Sequence, residues 1–179
     1  RVLIHQPALA GVIQGQFSLG SLLLSASRGG VSSLQLEFVS ELTARAPFDI
    51  YGGTEGQKLS ATLETLPQGE LLLRGDSVAF PPGGCAYLHR HQGPGIRCLV
   101  EGGIRIDTHG RSTSYGPGGA WYESGPDGVF AQGAVDRASR FVRVMILPRE
   151  LLGKSSIQYL NEEDKAKPKS QSYKIFADI

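Results

Sequence analysis

The sequence predicts an all-β protein, a double-sheet jelly-roll barrel with one or two short helical turns near its C-terminal end. Two observations carry the prediction. The 179 residues hold 24 glycines and 10 prolines without low complexity, and about half of the glycines fall between Pro81 and Gly133, among short apolar runs. From residue 69 onward those runs cover 70–74, 77–80, 85–91, 96–100, 103–107, 111–115, 120–123, 129–132 and 139–147, each bounded by Gly, Pro or Asp. Strands and tight turns in that rhythm are what a two-sheet barrel requires.

Residues 1–68 are less regular. The run 33–38 (SLQLEF) alternates strictly and reads as a strand. A helix through Arg45 competes, because Leu34, Phe38 and Leu42 sit at helical spacing behind Ser32 and Ser33. The strand is preferred. Residues 49–54 (DIYGGT) read as a turn, and 58–66 alternates with Leu59, Ala61 and Leu63 on one face. Further on, Arg74-Gly75-Asp76 reads as a turn between two short strands, its likeness to an adhesion motif a matter of chance. After Pro148, residues 149–153 suggest one helical turn ended by Gly153. Asn161 precedes Glu162, Glu163 and Asp164 as the cap of a short helix stopped by Pro168, and 172–177 alternates as a last strand. The expected organisation is one domain: N-terminal strands or an arm packed on the barrel (1–68), a barrel core (69–148) and a C-terminal extension (149–179).

Composition excludes several functions. A net charge of +1, with 20 % charged and 40 % hydrophobic residues, gives no drive toward nucleic acid or anionic lipid, and Lys165, Lys167 and Lys169 read as a solvated segment. No stretch approaches the roughly 18 apolar residues of a membrane helix. Cys85 and Cys98 form neither a disulfide framework nor a zinc spacing and read as buried thiols, which favours the cytoplasm. The chain begins at Arg1 rather than Met, so a removed leader stays open.

Chemistry concentrates in one strand. Side chains on a strand alternate between faces, so His89 and His91 share a face, with Arg90 on the other and with Tyr87 and Cys85 continuing the histidines' row. Two neutral imidazoles side by side are a familiar metal-binding pair. Arg97 falls on the inward parity, where it needs a partner such as Glu101 or Asp127 or a bound anion. Tyr87 reads as a ligand contact or proton donor, and Trp121 as an inward aromatic. His5 and His109 have no supporting spacing; His109 falls in a hairpin turn.

The spacing Gly83, five residues, His89-Arg90-His91, three residues, Gly95, six residues, Gly102 resembles the first motif of the cupin superfamily. The run 117–123 (PGGAWYE) is similar to the opening of the second, and the resemblance spans about 77–148. It implies a cupin-type double-stranded β-helix, a small-molecule pocket, a divalent metal (Fe, Mn, Ni or Zn) and a homodimer. It also implies four metal ligands, of which only His89 and His91 are present: Gly95 stands at the Glu position, Val129 near the second His and Gly133 at the Asn. Asp127 or Glu123 is the candidate third ligand. Three functions remain open: a metal site acting as an oxidoreductase or isomerase, a metal-free binding or sensing module, and metal-free isomerase or epimerase chemistry with a His base and Tyr87 as acid.

Overall fold

The computed structural model describes residues 67–178 in full, together with the backbone of strands at 15–19, 22–29, 33–40 and 57–63. The chain divides into two compact units, Arg1–Thr65 and Leu66–Ile179. In the first, β1 (Gly15–Leu19), β2 (Leu22–Gly29), β3 (Ser33–Ser40) and β4 (Gln57–Leu63) form an antiparallel sheet in that order. The run 33–38 is therefore strand and not helix, paired on both sides. The turn read at 49–54, residues 64–66 and His5 lie outside the described residues.

In the second unit the strands are β5 (Leu71–Phe80), β6 (Cys85–His91), β7 (Gly95–Glu101), β8 (Ile104–Thr108), β9 (Arg111–Tyr115), β10 (Ala120–Glu123), β11 (Val129–Gly133), β12 (Ser139–Pro148), β13 (Ile157–Tyr159) and β14 (Ser172–Asp178). They form two five-stranded antiparallel sheets, in the orders β10-β7-β12-β5-β14 and β13-β6-β11-β8-β9. Successive strands cross from one sheet to the other, and only β8 and β9 are consecutive within a sheet. That crossing is the double-stranded β-helix of a cupin-type jelly roll. A 3₁₀ turn, Arg149–Leu151, and one short helix, α1 (Glu162–Ala166), are the described helical pieces. Asn161 precedes α1, but its side chain makes no capping bond to the backbone. No helix among the described residues is long and apolar enough to cross a membrane.

Two local features shape the interior. The β8–β9 hairpin closes through His109 and Gly110, both at positive φ (50° and 68°), as a two-residue primed turn demands. By contrast, no turn exists at Arg74-Gly75-Asp76. Residues 71–80 are one continuous strand between β12 and β14, and Gly75 pairs with Val144. Charged residues around a glycine ordinarily mark a turn; here both charges are buried because each finds an ion-pair partner.

Candidate functional site

The inward face of each strand can be followed from an apolar end to a charged end. On β5 the row runs Phe80, Val78, Asp76, Arg74; on β12 it runs Phe141, Arg143. Trp121 and Glu123 on β10, Ala86, His89 and His91 on β6, Val129 and Ala131 on β11 and Ile106 on β8 also line this cavity of about 250 Å³. Val78, Phe80, Leu99, Ile106, Trp121 and Phe141 pack into one cluster at the apolar end, each contributing roughly 1.5–3 kcal/mol by burial. The result is an interior with one greasy half and one polar half.

Sheet register builds the polar half. Asp76, Arg143, Arg97 and Trp121 are successive cross-strand partners on β5, β12, β7 and β10. Two arginines directly opposite would repel, so each turns to a different carboxylate. Arg143 makes a bidentate pair with Asp76, Nε to Oδ1 at 2.6 Å and Nη2 to Oδ2 at 2.9 Å. Arg97 Nη2 lies 2.8 Å from Glu123 Oε2, and its Nη1 donates to the Gly95 carbonyl at 2.6 Å. Burial draws the Arg97 guanidinium down to about 10 against the pull of Glu123, so it stays a cation at neutral pH. Trp121 Nε1 donates to Glu123 Oε1 at 2.8 Å, while buried Glu123 Oε2 accepts no aligned hydrogen bond.

The histidines present the same ring edge. His89 Nδ1 donates to the Tyr87 carbonyl at 2.7 Å, which leaves the Nε2 lone pair toward the cavity. His91 Nδ1 lies 3.2 Å from Ser156 Oγ, and Arg143 Nη1 sits 3.4 Å from its Nε2. Arginine can only donate, so His91 Nε2 accepts and Nδ1 carries the proton. Burial lowers the pKa of both rings, and for His91 the Arg143 and Arg97 charges push it lower still. Both imidazoles are neutral at pH 7.

The C-terminal segment forms the mouth. Ser155, Ser156, Ile157, Tyr159, Lys169 and Gln171 line it. The Lys169 ammonium bonds to the carbonyls of Asp164, Lys165 and Lys167 and lies 4.2 Å over the Tyr159 ring. Gln171 Nε2 donates to the Tyr159 hydroxyl at 2.8 Å.

His89, His91, Arg97, Trp121 and Glu123 are therefore gathered around one cavity. Tyr87 is not. Two steps along β11, Val129 to Ala131, face three along β6, His89 to Ala86, so a bulge adds one residue and inverts the parity. Ala86 takes the inward place, and Tyr87 lies beneath Lys167 and Lys169. Asp127 is also outside the cavity, on the surface beside Ser124 and 3.5 Å from His109. Glu101 pairs with Arg140 on the surface, and Arg97 finds Glu123 instead. Asp76 and Arg143 were missed. The parity of Phe141 and Arg143 on an apolar strand was the available signal for the arginine; Asp76 was hidden by the apparent turn.

A divalent ion does not fit these donors. Three protein ligands is the ordinary minimum for a catalytic site of this kind, and among the described residues no three His, Cys, Asp or Glu side chains cluster as ligands. Glu123 lies 3.8 Å from His91 Nε2, the one approach to a two-histidine, one-carboxylate set. Its free oxygen is held beside Arg97, and the His91 lone pair faces Arg143. A dication there would stand against two buried guanidinium groups.

Fold and cavity together define a small jelly-roll barrel with a buried, charge-paired polar pocket. No protein-family model matches the chain, and no curated protein does. Similar solved structures include a cupin-2 domain from Rhodospirillum rubrum, at 14 % identity over 93 % of this chain and 86 % of that one, TM-score 0.40. A cupin 2 conserved barrel domain protein from Rhodopseudomonas palustris is similar at 11 % identity over 92 % and 90 %, TM-score 0.38. The polyketide cyclase RemF from Streptomyces resistomycificus is similar at 12 % identity over 89 % and 87 %, TM-score 0.39.

Proposed function

We propose that the barrel is a metal-free binding module for a small molecule with an apolar body and a polar head. The observation that carries this reading is Arg143 Nη1 at 3.4 Å from His91 Nε2, in the place a metal would need. The apolar half of the cavity suits the body, and the His89 and Glu123 edge suits the head. Its 250 Å³ lies just below the usual range for ligand pockets, about 300–1,000 Å³. Acid–base catalysis with Tyr87 as the acid is disfavoured by the bulge that turns Tyr87 away from the cavity.

Thermal unfolding with added ligands tests the reading, because a ligand at a hundred times its Kd stabilises by about 2.7 kcal/mol. Fe(II), Mn(II), Ni(II) and Zn(II) are expected to leave the midpoint unchanged, and neutral amphipathic compounds to raise it. A rise with one of the ions that disappears in His89→Ala/His91→Ala would overturn the proposal.

A further inference from the structure

Given the metal-free pocket proposed above, the class of ligand follows from the hydrogen bonds that the cavity leaves unmade. Most donors of its polar end are engaged by protein groups. Arg97 directs Nη1 at the Gly95 carbonyl and Nη2 at Glu123, and Arg143 directs Nε and Nη2 at Asp76 and Nη1 at His91. Trp121 Nε1 is taken by Glu123. Acceptors are left over as well. His89 Nε2 has no hydrogen bond among the described residues, and Glu123 Oε2, on a carboxylate 7 % exposed, has none that is aligned. A head group carrying an O–H would give these acceptors an aligned donor.

Charge narrows the class. Within the cavity Arg97 is matched by Glu123 and Arg143 by Asp76, while Arg74 pairs with Asp178 at 2.7 Å. The Lys169 ammonium stays at the mouth, held by three carbonyls. A charged head would enter a balanced interior with no counter-charge to meet it. The aromatic lining favours a flat partner: Trp121 stands edge-on to Phe141 with ring centroids 5.3 Å apart, and Phe80 lies 6.1 Å from Phe141. At about 30 Å³ per water, the cavity holds the equivalent of about eight waters, room for one or two rings.

We infer that the cavity takes a neutral hydroxyl-bearing aromatic of one or two rings, its O–H directed at the acceptor pair of His89 Nε2 and Glu123 Oε2 and its ring against Trp121 and Phe141. Titration calorimetry on the full chain with 4-ethylphenol, 4-ethylanisole and 4-ethylbenzoate tests it. Trp121, the single tryptophan, reports entry by its fluorescence. The phenol is expected to bind and shift that emission, the ether to bind at least tenfold more weakly, and the benzoate more weakly still. His89→Phe is expected to bring phenol and ether within about twofold of each other. Equal binding of phenol and ether by the wild type, preference for the benzoate, or no binding of any probe at millimolar concentration overturns the inference, and none of these needs a variant to fold. Metal content measured on the same sample separates the two levels. Stoichiometric metal removes the underlying reading as well, whereas a metal-free protein without phenol preference removes only the ligand class.

Discussion

Glu123 stands directly opposite Gly95 in the β7–β10 ladder, so a carboxylate missing where the cupin-like spacing expects one is present one strand away. It is turned to Arg97 and Trp121 rather than left open for a cation. Gly95 itself has no room for a side chain: a Cβ there would lie 2.4 Å from the Val144 carbonyl oxygen and 2.7 Å from Met145 Cγ. Gly95→Ala is expected to destabilise by about 1–3 kcal/mol in urea unfolding, the usual range for overpacking. Gly95→Glu is expected to cost more and to create no metal binding. Stoichiometric Zn(II) or Mn(II) in that variant would show that the cavity accepts a ligand set after all.

The Asp76–Arg143 pair gives a second test. Removing one partner of a buried ion pair leaves a bare charge and typically costs about 3–5 kcal/mol, whereas replacing both with apolar residues is often close to neutral. Asp76→Ala is therefore expected to lose several kcal/mol in denaturant titration. Asp76→Leu/Arg143→Met should lose clearly less. Equal losses would mean that packing, not charge, governs this position.

Short-range pattern in the sequence marks the strands, and long-range pairing decides the rest. Strand after strand was readable from Pro81 to Pro148, because turn residues bound short apolar runs. The shared face of His89 and His91 was readable too, since no irregularity lies between them. Simple alternation puts Tyr87 on that face, but a bulge, set by pairing with another strand and leaving no mark in β6 alone, turns it away. Arg74-Gly75-Asp76 was misread for a related reason: Arg74 meets Asp178, a partner 104 residues away. Parity correctly turned Arg97 inward, yet its partner Glu123 depends on which strand lies beside β7.

The two histidines make stability depend on pH. Burial holds both below their ordinary 6.5 in the folded chain, while the unfolded chain keeps that value. Below about 6.5 the unfolded state binds protons that the folded state refuses, so stability falls as pH drops, by up to about 1.4 kcal/mol per pH unit for each ring. Above that value these rings contribute no slope. Denaturant midpoints measured from pH 8 to 5 should show the fall, and His89→Gln/His91→Gln should flatten it. A fall of unchanged size in the double variant would assign it to other groups.

Arg74 anchors the last strand. It is 1 % exposed and bonds to Asp178 and to the Leu151 and Lys154 carbonyls. Asp178→Ala would strand a buried guanidinium, at a cost of about 3–5 kcal/mol, and should expose β14 to limited proteolysis. Wild-type resistance in the variant would contradict this.

Arg143 and Arg97 take the groups a metal would need. Elemental analysis of tag-free protein tests it most directly, as purified and after soaking with Fe, Mn, Ni and Zn followed by desalting. Well under one-tenth of an equivalent of each metal is expected, with no difference between wild type and His89→Ala/His91→Ala. About one equivalent in the wild type, lost in the double variant, would contradict it.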